Sequence, residues 1–163
     1  YNKKFMAGNN KYYYWAELYN NTDHTINLSE YYLTNDETNK TKYKLPNINI
    51  ESKSYYVLLA SKDSIKNNNY QFINFPISSE ESLYLLKGDK IVDAMYIASV
   101  PNGYSFGKGN NSGLYYFSSP TPKSGNNESS IVNVSYNPSF SVKPGVYNDK
   151  KNISLELMSV KLI

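Results

Sequence analysis

The sequence predicts an all-β fold, either a sandwich or a barrel. Strand-like segments recur about every 8–12 residues, and turn residues such as Asn, Asp, Gly and Pro separate them. A helical period is almost absent, and no repeat of about 20–50 residues is visible. At 163 residues, one domain with a small appendage is the default organisation.

The first half of the chain alternates strand-like segments with polar turns. In residues 12–19, Tyr14, Ala16 and Leu18 share one face at a period of two. Residues 20–24 predict a tight turn, because Asn and Asp bond readily to nearby backbone. Residues 55–60 are the most apolar run and predict a central strand buried on both faces. The remaining segments are strands at 25–33 and 43–45 and a turn at 35–39.

The middle of the chain contains the clearest hairpin signal. Residues 82–86 and 91–96 flank K-G-D-K, and Gly-Asp between two strand-like runs is a recognised turn. Residues 61–69 predict the one helical turn, with Ser61 as its cap. Residues 71–75 form a further strand-like segment, which leads to a proline.

The last third predicts another hairpin and then a boundary. Residues 103–108 and 113–118 flank a tip rich in Gly and Asn. Residues 120–127 (P-T-P-K-S-G-N-N) exclude regular structure and indicate a domain end or linker. The predicted division is therefore a first domain at 1–126 and a linker plus β-rich segment at 127–163. The strand-like runs of that segment are 131–136, 140–143 and 153–158.

The composition excludes several kinds of chemistry. The chain has no Cys and one His, so thiolate and multi-histidine metal sites are excluded. All 17 basic residues are Lys, so no guanidinium clamp for phosphate is available. The net charge of +3 is scattered, and no apolar run approaches about 20 residues, so we expect neither nucleic-acid binding nor membrane insertion. The 18 Tyr partly reflect the codon bias of a low-GC genome.

Five motifs in order resemble the bacterial lamin-tail domain. Residues 15–22 (W-A-E-L-Y-N-N-T) resemble its W-[IV]-E-[LI]-Y-N-x-[ST] start, and residues 27–36 (N-L-S-E-Y-Y-L-T-N-D) resemble its second strand. Residues 55–60 are similar to its Y-x-V-[LV]-x-A strand, and the remaining similarities are at 104–108 and 120–126. The resemblance covers about residues 10–126 and implies an immunoglobulin-like β-sandwich. Glu30 and Lys53 stand where the family usually has turn glycines.

Residues 131–158 resemble the start of the small β-domain at the C-terminus of chitobiases. The similar residues are F-S-V at 140–142, P-G-V-Y at 144–147 and I-S-L at 153–155. The T-x-D-G-[ST]-x-P strand pair of that domain is absent. The combination is typical of spore-coat-H-type surface proteins, so it implies a secreted or cell-surface multidomain protein. The chain begins with Tyr rather than Met, which we interpret as the loss of any signal segment.

The candidate ligand-binding residues are aromatic or charged residues on predicted strands and near the glycine-rich tip. Aromatic rings on a flat sheet face can stack sugars, and alternation must expose at least one ring of Tyr12-Tyr13-Tyr14 if one face is wet. The alternative is that these rings fill the core. The candidates are Tyr13, Trp15, Glu17, Tyr104 and Lys108.

Three other groups of residues have side chains that could carry chemistry. Glu17 with Glu30 or Asp36 could imitate a glycosidase pair, but we expect an exposed strand carboxylate. Asp36-Glu37 could offer oxygens to calcium, but we expect a solvated turn, because the EF-hand glycine and distal Glu are not in register. His24 is expected to be a solvated turn residue rather than part of a catalytic triad.

The sequence thus predicts a non-catalytic extracellular module that binds a protein or a glycan, or contacts an adjacent domain of its parent. We expect no catalytic residue, metal or cofactor. The first alternative is a purely structural spacer, and the second is a small hydrolase that uses Glu17.

Overall fold

The computed structural model describes residues 5–7, 11–62, 69–132, 139–140 and 155–156. The chain divides into two compact units, Tyr1–Val132 and Asn133–Ile163. The described parts consist of strands, turns and two short 3-10 helices, so the predicted all-β class is confirmed. The immunoglobulin-like arrangement of those strands stays a prediction.

The strands are short, and most are joined by turns. The 3-10 helices are Leu28–Glu30 and Glu128–Ser130. The strands are β1 Phe5–Ala7, β2 Lys11–Tyr19, β3 Ile26–Asn27, β4 Tyr31–Thr34, β5 Tyr43–Lys44, β6 Asn49–Ile50, β7 Tyr55–Ala60, β8 Gln71–Ile73, β9 Glu81–Lys87, β10 Lys90–Ile97, β11 Ser105–Lys108, β12 Leu114–Phe117, β13 Ile131–Val132, β14 Ser139–Phe140 and β15 Leu155–Glu156.

Two four-stranded sheets form the main part of the first unit. Their strand orders are β1-β2-β7-β8 and β10-β9-β4-β5. All pairings are antiparallel except that of β7 with β8, which is parallel. Strands β11, β12 and β13 form a smaller sheet, and β3 pairs with β6. In the second unit, β14 pairs with β15.

Both large sheets contribute to one apolar core. Leu58, Ala60 and Ile73 come from the first sheet, and Leu33 and Leu83 come from the second. Leu58 is fully buried, and full burial of a leucine contributes about 1.5–3 kcal/mol. The predicted alternation of β2 is confirmed, because Tyr14, Ala16 and Leu18 all pack against this core.

The strand predicted at residues 25–33 is interrupted. The structure has β3, then the first 3-10 helix, then β4. The break arises because the Asn27 side chain accepts a hydrogen bond from the Ser29 N–H and caps the helical turn. The helical turn predicted at 61–69 lies mostly on residues 63–68, which are outside the described residues.

The two predicted hairpins of the first unit are confirmed. Strands β9 and β10 pair across a turn in which Gly88 has a φ of 59°, a conformation that favours glycine. A register shift between Ile91 and Asp93 adds a bulge to β10. Strands β11 and β12 pair directly on either side of the glycine-rich tip.

The first compact unit extends beyond the predicted boundary at residue 126. Strand β13 pairs with β12, with Ile131 opposite Phe117 and Val132 opposite Tyr116. Residues 127–132 therefore belong to the first unit. Three C-terminal strands were predicted, at 131–136, 140–143 and 153–158. The structure describes residues 131–132, 140 and 155–156 of these strands, and their other residues lie outside the described part of the chain.

A buried asparagine fixes the junction between β2 and β7. Asn20 is only 3% exposed, and its Nδ2 donates to the carbonyls of His24 (2.8 Å), Ile50 (3.0 Å) and Glu51 (3.1 Å). Its Oδ1 accepts from the backbone and hydroxyl of Thr22. The Asn20 backbone bonds to the turn before β7, through the Ser54 carbonyl and the Lys53 N–H. One side chain therefore ties the turn after β2 to the turn before β7.

Replacing Asn20 with Ala should lower the free energy of unfolding by about 2–4 kcal/mol, because buried carbonyls lose their donor. The measurement is urea denaturation of both proteins. Asn21→Ala is the matched control, because Asn21 is exposed and the change should cost well under 1 kcal/mol. Equal effects of the two substitutions would show that the Asn20 bonds do not set the junction.

Candidate ligand-binding cleft

The outer face of the first sheet carries a small second core. On β2 and β7 the outer residues pair directly, Trp15 with Leu59, Glu17 with Val57 and Tyr19 with Tyr55. Trp15 is 6% exposed and packs with Val57, Leu59 and Phe72. The prediction that Trp15 belongs to an exposed aromatic face is therefore corrected, because its ring fills this second core.

Three tyrosines of β2, Tyr12, Tyr13 and Tyr19, differ in how far they are exposed. Tyr13 packs against the second core, with its ring edge-to-face on Phe72 at 4.9 Å between centroids. Tyr12 is 63% exposed, as alternation requires of at least one ring in this run. Tyr19 is 47% exposed and stacks on Tyr55, with ring centroids 4.6 Å apart.

The segment predicted as a linker, residues 120–127, contains a loop that packs on this outer face. The Lys123 N–H donates to Glu17 Oε1 at 2.6 Å. Lys123 has a φ of 68°, and the turn is closed by the Ser124 N–H, which donates to the Thr121 carbonyl. A Cβ at Gly125 would lie 3.3 Å from the Tyr55 hydroxyl, so the loop approaches Tyr55 closely at this point. The loop thus packs on the first sheet through Glu17 and Tyr55.

A cleft of about 450 Å³ lies between this loop and the β7–β8 edge of the sheet. Its described lining combines three tyrosine side chains with two amides and one ammonium group. The lining residues are Ile48, Tyr55, Tyr56, Val57, Asn69, Tyr70, Gln71 and Lys123.

Two contacts organise the polar side of the cleft. Lys123 Nζ lies 5.3 Å from the centre of the Tyr70 ring, within the range of a cation–π interaction. Gln71 Nε2 donates to the Tyr43 hydroxyl at 2.6 Å, which fixes the amide plane. The cleft therefore presents aromatic faces beside oriented polar groups, the combination typical of small-ligand sites.

Glu17 lies beside the cleft and is half-buried. Burial raises the pKa of its carboxyl above the ordinary value of 4.5, and the hydrogen bond from the Lys123 backbone opposes this rise. Glu30 and Asp36, the two possible second acids of a glycosidase pair, bond to other residues. Glu30 forms an ion pair with Lys87, and Asp36 accepts hydrogen bonds from Thr38. The Glu17 carboxylate therefore serves to hold the loop at residues 120–127 against β2, through its hydrogen bond from the Lys123 N–H.

Tyr104 and Lys108 lie on or beside β11. Lys108 forms an ion pair with Asp93, Nζ to Oδ1 at 2.5 Å, and its carbonyl accepts from Asn126 Nδ2 at 2.7 Å. Tyr104 is half-buried, and its N–H donates to the Pro101 carbonyl. The structure therefore places Tyr13, Trp15 and Glu17 on one face of β2. Lys108 contacts the loop at residues 120–127 through its backbone carbonyl, which accepts from Asn126.

The other candidate groups form turns. Hydrogen bonds from the Thr38 hydroxyl and N–H lower the pKa of Asp36, and Glu37 accepts a bond from the Tyr84 hydroxyl. His24 is exposed in the turn that Asn20 closes. Among the described residues, no group of three or more His, Asp or Glu side chains is arranged to hold a metal ion.

Sequence reasoning missed Tyr70, Gln71 and Lys123 as site residues. Tyr70 and Gln71 border a strand whose parallel pairing with β7 brings them beside Tyr55. Lys123 lines the cleft from a loop in which it adopts a positive φ, a property that a P-T-P-K run does not reveal. The tyrosine pair at 55–56 is a sequence feature that points to this place, since both residues line the cleft.

The raised pKa of Glu17 predicts a particular pH dependence. Because the folded state holds this proton more tightly than the unfolded state, the contribution of Glu17 to stability falls as pH rises above about 4.5. Glu17→Gln, whose amide oxygen can still accept from Lys123, should therefore gain stability relative to the natural chain over that window. Urea denaturation of both proteins between about pH 4 and pH 7 measures the difference. Parallel stability curves would contradict the assignment.

Comparison of the chain with known protein families, curated proteins and solved structures found no match in any of the three. Within the described residues, no helix has the length and apolar character needed to cross a membrane.

Proposed function

We propose that this chain is a non-catalytic glycan-binding module of a larger secreted or cell-surface protein. The observation that carries the proposal is the cleft, with Tyr55 and Tyr70 beside Asn69, Gln71 and Lys123. Its volume of about 450 Å³ lies within the range of small-molecule sites.

The chemistry of the lining suits a sugar. A sugar ring has apolar C–H faces that pack on aromatic rings, and a rim of hydroxyls that needs donors and acceptors. Tyr55 and Tyr70 supply rings, Asn69 supplies an amide, and Gln71, whose Nε2 donates to Tyr43 and Phe72, supplies an acceptor oxygen. Aromatic pairs are worth about 0.5–1.5 kcal/mol beyond area burial, and we take this as the scale for one sugar–ring contact.

The position of Glu17 supports a binding role over the hydrolase alternative. Its Oε1 accepts the Lys123 N–H, and the charged side chain that acts on it is Lys123. A two-carboxylate mechanism needs a second acid across the scissile bond. Hydrolysis that disappears in Glu17→Gln would favour the hydrolase, and it is the assay that separates the two hypotheses.

The lamin-tail resemblance and the extracellular setting are part of the same proposal. The lamin-tail resemblance rests on the five sequence motifs of residues 10–126. In this proposal the neighbouring domains of the parent protein supply any catalysis, and the module brings them to a glycan. A spacer without ligands is the outcome if neither a glycan nor a protein partner binds.

Removing one ring of the cleft should weaken glycan binding. Tyr70→Ala should lower affinity about five- to tenfold, because the stacking surface and the neighbour of Lys123 are lost together. Glycan arrays carrying glucans, N-acetylglucosamine oligomers and uronic-acid oligomers select the probe, and titration calorimetry measures it. Tyr70→Phe keeps the ring and should bind nearly as the natural chain does.

Tyr96→Ala is the matched control, because it removes a tyrosine that is 55% exposed on β10 of the other large sheet. It should leave affinity unchanged. If Tyr96→Ala weakens binding and Tyr70→Ala does not, the glycan lies on the second sheet and the cleft assignment is wrong.

A further inference from the structure

Among the described residues that line the cleft, the one formally charged side chain is that of Lys123. Asn69 and Gln71 are neutral amides, and the other described lining side chains are aliphatic or phenolic. The described part of the lining therefore offers a ligand an ammonium group and no carboxylate.

Two contacts place this ammonium group at the cleft. The backbone N–H of Lys123 donates to Glu17 Oε1, and its Nζ lies over the Tyr70 ring. Lys123 is itself exposed, so a ligand can reach the ammonium group.

Lys123 differs from the lysines that have acidic partners. Lys53 pairs with Asp23, Lys87 with Glu30 and Lys108 with Asp93. Among the ion pairs of the described residues there is none for Lys123 Nζ, which lies over the Tyr70 ring and acts on the Glu17 carboxylate only at longer range. An ammonium group on an aromatic ring retains its charge and can still bind an anion.

The negative charge of Glu17 opposes the binding of an anion in the cleft. Its carboxylate bonds to the Lys123 backbone, outside the residues that line the cleft. Its negative charge should weaken the binding of an anionic ligand without preventing it. Removing that charge should therefore strengthen the binding.

We propose that the cleft selects an acidic glycan, with the anionic group of the sugar at Lys123 Nζ and a sugar face against the tyrosine rings. This inference rests on the proposed glycan-binding function and adds the charge class of the ligand. A lysine is a point charge without the planar fork of arginine, so a carboxylate and a phosphate are both acceptable partners. The experiment separates these two sources.

The probes are tetragalacturonate, its methyl ester and a phosphorylated mannotetraose, titrated into the full chain at low salt. The acid and its ester have the same sugar backbone and differ in charge. The natural chain should bind the acid about two- to fivefold more tightly than the ester, the range of one partly exposed ion pair. This preference should disappear at about 0.5 M salt. If the phosphorylated sugar binds more tightly than tetragalacturonate, and Lys123→Gln removes that difference, the acidic glycan is a phosphorylated one; the reverse order identifies a carboxylate.

Three variants locate the charge. Lys123→Gln should remove the preference for the acid, while Lys123→Arg should keep it. Lys90→Gln, the same loss of charge in the β9–β10 hairpin, should leave it unchanged. Glu17→Gln should tighten binding of the acid and leave the ester unaffected, and thermal unfolding checks that each variant folds.

Two results would overturn the inference in distinguishable ways. If acid and ester bind equally and both need Tyr70, the glycan module stands and the selection for acidic sugars is wrong. If no glycan of either charge binds, the proposed function fails and the inference fails with it.

Discussion

The pairing of β2 with β7 is the constraint on which the rest of the first unit depends. Its register sends Tyr14, Ala16 and Leu18 into the main core and turns Glu17 and Tyr19 toward the other face. A slip of one residue would exchange these faces and place a carboxylate in the core. Because Asn20 bonds to both turns at the end of this pair, the register is fixed by buried hydrogen bonds as well as by apolar packing.

The cleft is a consequence of that register. Directing Glu17 outward gives the loop at residues 120–126 an acceptor for the Lys123 N–H, and directing Tyr55 outward gives the cleft its first ring. The parallel strand β8 then adds Tyr70 and Gln71 along the same edge. Glu17 links this structure to the proposed function. Its side chain anchors the loop, and its negative charge is also one that an acidic ligand meets beside the cleft. Burial of that carboxylate is the cost of anchoring, and it appears as the raised pKa of Glu17.

Local patterns in the sequence were sufficient for the strand content, but none of the five predicted site residues lines the cleft. Alternation predicted which side chains of β2 enter the core, and Gly88-Asp89 predicted the hairpin, because both depend on near neighbours in the chain. Alternation could not show that the second face of the same strand is also covered, so Trp15 was expected at the surface. The parallel pairing of β8 and the turn at Lys123 depend on contacts between distant segments. For the same reason, Tyr70, Gln71 and Lys123 could not be recognised from sequence.

The most direct test of the central claim is chemical-shift mapping by NMR, in which the isotope-labelled full chain is titrated with tetragalacturonate. The account predicts the largest amide shifts at Tyr70, Gln71 and Lys123, with the amides of β10 unchanged. Shifts centred on β10, or a spectrum that does not respond to the ligand, would contradict it.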